Sequence, residues 1–230
     1  MPGDSRYLRE LYPFLHGDKQ DVHGMDVALL DSIEQKAAHS IEVKRQFFAE
    51  NGPALVAAAR AIASVYQRGG RMLTIGNGGS SCDAAHFAVE FLHPITAGRP
   101  ALPAINLVAD DAMLTAVGND VGFEHIFARQ VIAHGRPGDG LIGFSTSGNS
   151  PNLLMAFARA REMNLTTIGM AGGDGGEMSR SADIDHCLVV ATDSIHRVQE
   201  VHVAAYHILW DLVHTLLADE RGGLGLESES

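Results

Sequence analysis

Cysteine is almost absent from this 230-residue chain, which has only Cys82 and Cys187. The two lie far apart in the sequence, and neither belongs to a CxxC pair. This scarcity argues against a disulfide framework and against a zinc site built from thiolates. It fits a protein of the reducing cytoplasm, which is the location that we predict.

Positive charge and long apolar runs are also scarce. Lysine and arginine number 17 against 28 aspartates and glutamates, so the formal net charge is −11. Nucleic acids and anionic membranes are bound by basic patches, so we expect neither as a partner. No uninterrupted apolar run approaches the roughly 20 residues of a membrane helix. Asp4 and Glu10 stand where a signal peptide needs basic and then apolar residues. Any phosphate that this chain binds must therefore be held by local dipoles.

The pattern of apolar residues divides the chain into three parts. Hydrophobic residues make up 46% of it, which is ample for one sizeable core. Residues 1–24 mix charges with proline and glycine and predict an irregular N-terminal arm, and residues 219–230 predict a flexible tail. Residues 25–218 are expected to form a single domain. Its first part contains two predicted helices, one from about Met25 and one over Pro53–Tyr66.

Short apolar runs alternate with helical stretches after residue 70. Five runs are typical of buried parallel strands, and they are RMLTIG, PAINLV, DGLIGF, LTTIGM and DHCLVV. Helices are predicted over Asp83–Phe91, Asp111–Val117, Ile126–Ala133 and Pro151–Met163, with a long amphipathic helix at Ile195–Ala218. This order of elements predicts an α/β fold, a doubly wound three-layer αβα sandwich around a parallel sheet of about five strands.

A hydroxyl-rich turn follows the third predicted strand. Ser145, Thr146, Ser147 and Ser150 lie within six positions, and Pro151 opens the next helix, which makes Ser150 the natural N-cap. Hydroxyls and free backbone N–H groups converge here at the positive end of a helix dipole, an arrangement that can hold a phosphate without lysine or arginine. An ordinary capped helix with turn residues is the alternative. Four hydroxyls in one turn favour the phosphate site.

A second polar loop, the segment GNGGSS, follows the first predicted strand. Its residues after the strand are Asn77, Gly78, Gly79, Ser80 and Ser81. Ligands of doubly wound sheets sit at the carboxyl ends of the strands, so the two loops can face one crevice. The segment lacks the G-x-G-x-x-G pattern because Ser81 stands at the third glycine. We therefore expect a ligand smaller than a dinucleotide, and no nucleotide cofactor.

His86 and Glu90 lie four positions apart on the helix that follows this loop. Residues at this spacing share a helix face, so the pair can act on one ligand or bind a metal; an ordinary hydrogen bond is the alternative. The C-terminal helix adds Gln199 and His207, which are about 12 Å of helix apart. An ion touching both would sit midway between extended side chains; otherwise they serve different sites or subunits. Imidazole, carboxylate and a neutral oxygen suit Zn²⁺ or a similar ion. Two other histidines of this helix are interpreted as ordinary polar positions on its flank, His202 and His214.

These motifs together resemble those of a known family. From about Met25 to Ala218 the chain resembles the sugar isomerase (SIS) domain family, and most closely the phosphoheptose isomerases, which interconvert sedoheptulose 7-phosphate and glycero-manno-heptose 7-phosphate. The matching blocks are GNGGSSCDAAHF, AVGNDVGFEHIFARQV, GDGLIGFSTSGNSPN, GGDGGEM and RVQEVH. The resemblance implies a flavodoxin-like SIS fold, aldose–ketose isomerase activity, and a homotetramer with sites between subunits.

The resemblance also implies roles for individual residues. The substrate-binding candidates are Asn77, Gly78, Gly79, Ser80, Glu90, Asn119, Asp120, Ser145, Thr146, Ser147, Ser150 and Gln199. The positions of the family's zinc ligands, one Zn²⁺ per subunit, are His86, Glu90, Gln199 and His207. In the expected reaction, Glu90 is the base that moves a proton between C1 and C2 through an enediol, and His207 is the acid or proton shuttle.

Two departures from the family pattern leave alternatives open. Many relatives have an acidic residue at the position of His196 and an arginine at the position of Pro94, both near the expected sugar. An isomerase of another phosphosugar is therefore a second hypothesis. A third is a non-catalytic SIS module that senses a sugar phosphate or binds a protein partner, as replication-initiator-associated members do. Those members generally lack the residues corresponding to Glu90 and His207, so their presence favours an enzyme.

Overall fold

The structure is a computed structural model, and it describes residues 22–220 of the chain. The predicted N-terminal arm lies outside the described residues except for 22–24, which are already helical. Most of the predicted tail also lies outside them; its residues 219 and 220 belong to the last helix.

Two compact units divide the chain, residues 1–42 and 43–230, and helix α1 (Val22–Gln67) contributes residues to both. In the first unit, described from residue 22, the helix exposes several large apolar side chains, among them Val27, Leu29, Leu30, Ile33 and Ile41. A single domain over residues 25–218 stays a prediction.

Helix α1 replaces the two helices that the sequence predicts before the first strand, so that prediction is wrong. Pro53 lies inside it, where proline removes a backbone hydrogen bond and usually kinks or ends a helix. Apolar residues nevertheless continue at helical spacing on both sides of Pro53, and these are buried: Val43, Phe47, Leu55, Ala58, Ala59 and Ile62. Burial of this continuous stripe outweighs the low helix propensity of one proline.

Five parallel strands form the sheet, in the order β2-β1-β3-β4-β5. They are β1 (Met72–Gly76), β2 (Ala104–Asn106), β3 (Gly140–Ser145), β4 (Thr166–Gly172) and β5 (His186–Val190). This is the flavodoxin-like order, so the predicted doubly wound fold is confirmed. The strand order reverses between β1 and β3, which is where such folds bind their ligands.

Helices cover both faces of the sheet. They are α2 (Gly79–Leu92), α3 (Asp111–Asp120), a 3₁₀ turn (Phe123–His125), α4 (Ile126–His134), α5 (Pro151–Glu162), the short α6 (Gly176–Arg180) and α7 (Ile195–Glu220). Successive side chains of a strand point to opposite faces. Met72 accordingly packs among residues of α1, α2 and α7, whereas Leu73 packs among residues of α3, α4 and α5. These two cores make the fold a three-layer sandwich.

Helix α7 is the long C-terminal helix that the sequence predicts. By length and composition alone its segment Ile195–Ala218 could cross a membrane. One face of the helix, however, lies in the core of the sandwich, through Val198, Val201, Ala205, Leu209 and Val213. A core helix of a soluble protein passes the same test, so the segment is weak evidence for a membrane span.

Candidate functional site

The loops after β1 and β3 leave the sheet side by side. Gly76, the last residue of β1, pairs with Phe144 of β3, so the two loops begin as neighbours at the switch point. Asn77 and Asn152 then link them, because each side-chain amide donates to the other's oxygen at 2.9 Å. Asn152 is only 1% exposed, and this link was not anticipated from the sequence.

The GNGGSS segment is shorter as a loop than predicted. Helix α2 begins at Gly79, so Gly79, Ser80 and Ser81 form its first turn. Backbone hydrogen bonds of 3.0 Å close this turn, from Ser80 N to Asn77 O and from Ser81 N to Gly78 O. The backbone N–H groups at the start of α2 therefore lie directly beyond the end of β1.

The hydroxyl-rich turn after β3 is held by its own side chains. The Ser145 hydroxyl accepts a hydrogen bond from Gly148 N at 3.1 Å and lies 3.2 Å from the Ser150 hydroxyl. Ser150 occupies the N-cap position with Pro151 after it, as predicted, but its side chain makes no capping hydrogen bond. The side-chain oxygen of Asn152 accepts from Leu153 N at 3.1 Å instead.

Residues 175–178, at the start of α6, pack against this turn. Gly148 has a φ of 65°, and a Cβ there would lie 2.0 Å from the carbonyl oxygen of Gly175. Met178 N donates to Gly148 O, and Glu177 N donates to the side-chain oxygen of Asn149, both at 2.9 Å. On the outer side Ser147 and Asn149 are exposed and Thr146 is half-buried, so protein atoms do not fill the turn.

His86, Glu90 and His207 form one cluster between α2 and α7. The Oε1 atom of Glu90 lies 3.1 Å from Nε2 of His86 and 3.9 Å from Nε2 of His207. The two imidazole rings are 5.0 Å apart and almost perpendicular. All three side chains are partly exposed, so a ligand can reach them. The structure thus brings together three of the four residues that the sequence proposes as metal ligands.

The donor set of this cluster fits a divalent metal ion. It offers two imidazole nitrogens and one carboxylate oxygen, all within 4.8 Å of one another. The ligand atoms of a tetrahedral ion with bonds of about 2.1 Å lie roughly 3.4 Å apart. The two distances from Glu90 bracket that value, so small side-chain shifts would close the three donors around an ion.

Gln199, the fourth proposed ligand, lies against the start of α2, away from the cluster. A Cβ on Gly79 would be 2.2 Å from its side-chain nitrogen, so the amide packs against the first residue of α2. His86 and Glu90 stand two to three turns further along α2. Gln199 therefore borders the GNGGSS segment here rather than the three-residue cluster.

Two side-chain contacts join helices α2 and α7. The Tyr206 hydroxyl is 2.6 Å from Nδ1 of His86, and Trp210 Nε1 donates to the carbonyl oxygen of Glu90 at 2.8 Å. Both contacts join residues 120 positions apart. Neither tyrosine nor tryptophan was expected at the site, because in the sequence both look like core residues of an amphipathic helix.

Asp83 is a buried carboxyl group one turn before His86. It is 6% exposed, and its Oδ2 atom has no hydrogen-bond partner among the described residues. Burial raises the pKa of Asp83 to about 6, and the nearby positive charge that His86 can carry opposes this rise. The sequence suggested only that Asp83 stands near the start of the helix.

His202 and His214 are not flank positions, so that interpretation is wrong. Both are buried in the core, where His202 packs against Phe144 and His214 packs against Phe91 and Trp210. Burial lowers the pKa of His202 to about 4, partly offset by its contact with the carbonyl oxygen of Ala171 at 3.4 Å. The α-helical period of the sequence places both on the buried face of α7, but polarity alone suggested otherwise.

Asn119 and Asp120 end helix α3, apart from the cluster. Both are exposed, and Asn119 Nδ2 donates to Asp120 Oδ1 at 2.7 Å. Within residues 22–220 they make no hydrogen bond to the other proposed site residues. At the two departures from the family pattern, Pro94 is half-buried just after α2 and His196 is exposed at the start of α7.

This fold and this site define an α/β domain of the sugar isomerase class. The SIS domain model matches residues 37–172. A phosphoheptose isomerase from Roseiflexus sp. is 42% identical over 192 residues, which cover 84% of this chain and 94% of that protein. One from Desulfovibrio desulfuricans is 43% identical over 201 residues, which cover 87% and 94%.

A solved structure agrees with these relatives. The phosphoheptose isomerase from Francisella tularensis superposes with a TM-score of 0.77 at 38% identity, covering 81% of this chain and 98% of that one. The chain therefore belongs to the SIS-domain family and, within it, to the phosphoheptose isomerases. The resemblance predicted from the sequence is confirmed, and the protein is an aldose–ketose isomerase.

Proposed function

We propose that the chain converts sedoheptulose 7-phosphate into D-glycero-D-manno-heptose 7-phosphate, with Glu90 as the base. One observation carries this proposal: a carboxylate between two imidazoles, at 3.1 and 3.9 Å, on the helices α2 and α7. The printed names of the relatives supply the substrate class, and the two loops at the switch point supply an anchor for its phosphate.

The proposed reaction uses these groups in two proton transfers. Glu90 removes a proton from C1 of the ketose, the C–H electrons form the C1–C2 double bond, and the C2 oxygen takes a proton from protonated His207. The resulting enediol then loses its O1 proton to His207, while Glu90 returns its proton to C2. The product is the aldose, and both side chains recover their starting protonation states.

The phosphate is proposed to bind at the turn of residues 145–150. Backbone N–H groups at the start of α5 and the hydroxyls of Ser145, Thr146, Ser147 and Ser150 would be its donors. Asn77, Gly78, Gly79, Ser80, Asn119, Asp120 and Gln199 are proposed to line the sugar. Anchoring the phosphate holds C1 and C2 at the carboxylate and reduces the entropy lost on reaction.

Zn²⁺ is the proposed metal, and His86, Glu90, Gln199 and His207 are the residues that would hold it. Because an imidazole binds a metal only in its neutral form, His207 would act as the proton donor only while it is not bound to the ion. The three donors of the cluster suit zinc in chemistry and spacing. When bound, the ion would stabilise negative charge on the substrate oxygens. Gln199 packs against Gly79 in this structure, and the family resemblance is what includes it among the proposed ligands.

We further propose a cytoplasmic homotetramer with sites between subunits, and neither nucleic acid nor membrane as a partner. Exposed apolar side chains on the first part of α1, such as Leu30 and Ile33, support association between copies. Light scattering of the purified protein measures the mass directly. A monomer at micromolar concentration would contradict the tetramer.

A panel of ketose phosphates, each incubated with and without a chelator, tests the proposed substrate. Sedoheptulose 7-phosphate should give the aldose, and the chelator should slow the reaction. Faster conversion of another ketose phosphate would favour the second hypothesis, to which Pro94 and His196 point. Conversion of none, with binding retained, would favour the sensor module.

A further inference from the structure

We infer that Tyr206 is a positioning residue for His86, and that its hydroxyl group sets how tightly the cluster holds a metal ion. This inference rests on the proposed metal site. Tyr206 is 1% exposed, and its hydroxyl lies 2.6 Å from Nδ1 of His86. The other ring nitrogen, Nε2, faces Glu90 at 3.1 Å. Both nitrogens of the histidine are thus engaged, one on each side of the ring.

A hydroxyl group can pair with Nδ1 of His86 in both tautomers of the ring. In the metal-free protein, Nε2–H donates to the Glu90 carboxylate, so Nδ1 carries a lone pair and accepts from the Tyr206 O–H. When Nε2 binds a cation, the ring proton must move to Nδ1, and the Tyr206 oxygen accepts from it. A carbonyl or carboxylate partner could serve only the second state. A hydroxyl serves both without any movement of the ring.

The tyrosine ring is itself held in place. It makes edge contacts with Phe144 and Phe87 in the core, at 5.9 and 6.4 Å between centroids. On the side facing the cluster it contacts His86 at 5.3 Å and His207 at 4.9 Å. Tyr206 therefore also sets the spacing of the two imidazoles that would share the ion.

Tyr206 stays a neutral hydroxyl at working pH. Burial raises its pKa above the ordinary value, and the negative charges of Asp83 and Glu90 raise it further. The hydroxyl therefore keeps its proton and can donate to His86.

Replacing Tyr206 with phenylalanine removes the hydroxyl and keeps the ring. Partners of this kind typically contribute 10- to 100-fold to metal affinity, so we expect Tyr206→Phe to weaken zinc binding by about that factor. Competition with a chromophoric chelator, on the whole chain stripped of metal, measures the dissociation constant. Thermal unfolding shows whether the variant keeps its fold.

Tyr66→Phe is the matched control. Tyr66 is also buried, and its hydroxyl has no hydrogen-bond partner among the described residues. Its removal should leave zinc affinity unchanged. If Tyr206→Phe binds zinc as tightly as the parent chain, the inference is wrong.

A second measurement separates this inference from the proposed metal site. In the metal-free parent protein, ¹⁵N chemical shifts of the His86 ring should show the proton on Nε2 alone, and Tyr206→Phe should show a mixture of tautomers. A mixture in the parent protein would overturn the inference, even if the variant does not fold. Failure of the parent chain to bind zinc, with the tautomer fixed as expected, would instead remove the metal from the proposed function and overturn the claimed effect on metal affinity, leaving only the orientation of His86 by Tyr206.

Discussion

Asn77 and Asn152 exchange two hydrogen bonds of 2.9 Å between their side-chain amides. Asn77 follows β1, and Asn152 belongs to the first turn of α5, so the pair ties the GNGGSS segment to the helix that follows the hydroxyl-rich turn. Asn152 also accepts from Leu153 N. The two loops of the proposed site are thereby joined through two part-buried hydrogen bonds.

Breaking this pair should reduce stability. Asn152→Ala leaves the half-buried amide of Asn77 without its partner, and leaving a polar group unpaired in this way costs about 1–3 kcal/mol. Urea unfolding of Asn77→Ala, Asn152→Ala and the double variant measures the coupling. The double variant should lose about 1 kcal/mol less than the sum of the single losses. Additive losses would mean that the pair contributes no coupling.

The hydroxyl-rich turn after β3 should not tolerate a side chain at Gly148. A Cβ there would lie 2.0 Å from the backbone oxygen of Gly175, and Gly148→Ala must therefore displace one of the two segments. We expect KM for the sugar phosphate to rise by about ten-fold or more, equivalent to roughly 1.4 kcal/mol.

Gly173→Ala is the matched control for this substitution. Gly173 has the same φ of 65°, but nothing lies within 4 Å of its Cβ position. It shares the conformational strain of a positive φ without the clash. Equal KM values for the two variants would refute the steric explanation.

His202 should make the protein sensitive to acid. Its pKa is lowered by burial to about 4, below the ordinary 6.5, so its contribution to stability is complete above pH 6.5 and is lost as the pH falls toward 4. The shift corresponds to about 3 kcal/mol. His202→Gln keeps a donor for Ala171 O and does not titrate. Between pH 7 and pH 4, the free energy of unfolding should fall by about 3 kcal/mol less in this variant than in the parent chain. An equal fall in both proteins would contradict the assignment.

Asp83 should make the protein less stable as the pH rises, which is the opposite of the effect of His202. Its pKa is raised to about 6, so its contribution is present below about pH 3.8 and is lost as the pH rises through 6. In the metal-free protein, the free energy of unfolding of Asp83→Asn relative to the parent chain should therefore be higher at pH 8 than at pH 4, by up to about 3 kcal/mol. Asp111→Asn, at an exposed position, is the control. A stability difference independent of pH would show that the carboxyl group is not desolvated.

Much of the fold follows from local sequence. All five strands appear as apolar runs, because burial on both faces of a parallel sheet leaves a strong local pattern. The helices α2 to α5 between them follow the helical period, whereas the short α6 was not predicted. The unbroken helix at Pro53 could not be predicted from local rules. Propensity favours a break there, and only the buried stripe on both sides of the proline reverses that preference.

Part of the site was predictable, because some of its residues lie close together in the sequence. His86 and Glu90 share a helix face by spacing alone, and the hydroxyl-rich turn is visible as a motif. The Tyr206 contact with His86 joins residues 120 positions apart, and the Asn77–Asn152 pair spans 75. Such contacts depend on how helices and strands pack, which spacing within one segment does not determine.

Glu90→Gln is the most direct measurement of the central claim, that the Glu90 carboxylate moves the proton between C1 and C2. The assay uses saturating zinc and sedoheptulose 7-phosphate in D₂O, and follows both turnover and deuterium incorporation at carbon, with Glu162→Gln on the exposed end of α5 as the control. Turnover and incorporation should both fall by about 10³-fold or more, with substrate binding retained, because the amide cannot accept the proton. Incorporation at the parent rate in the variant would contradict the account.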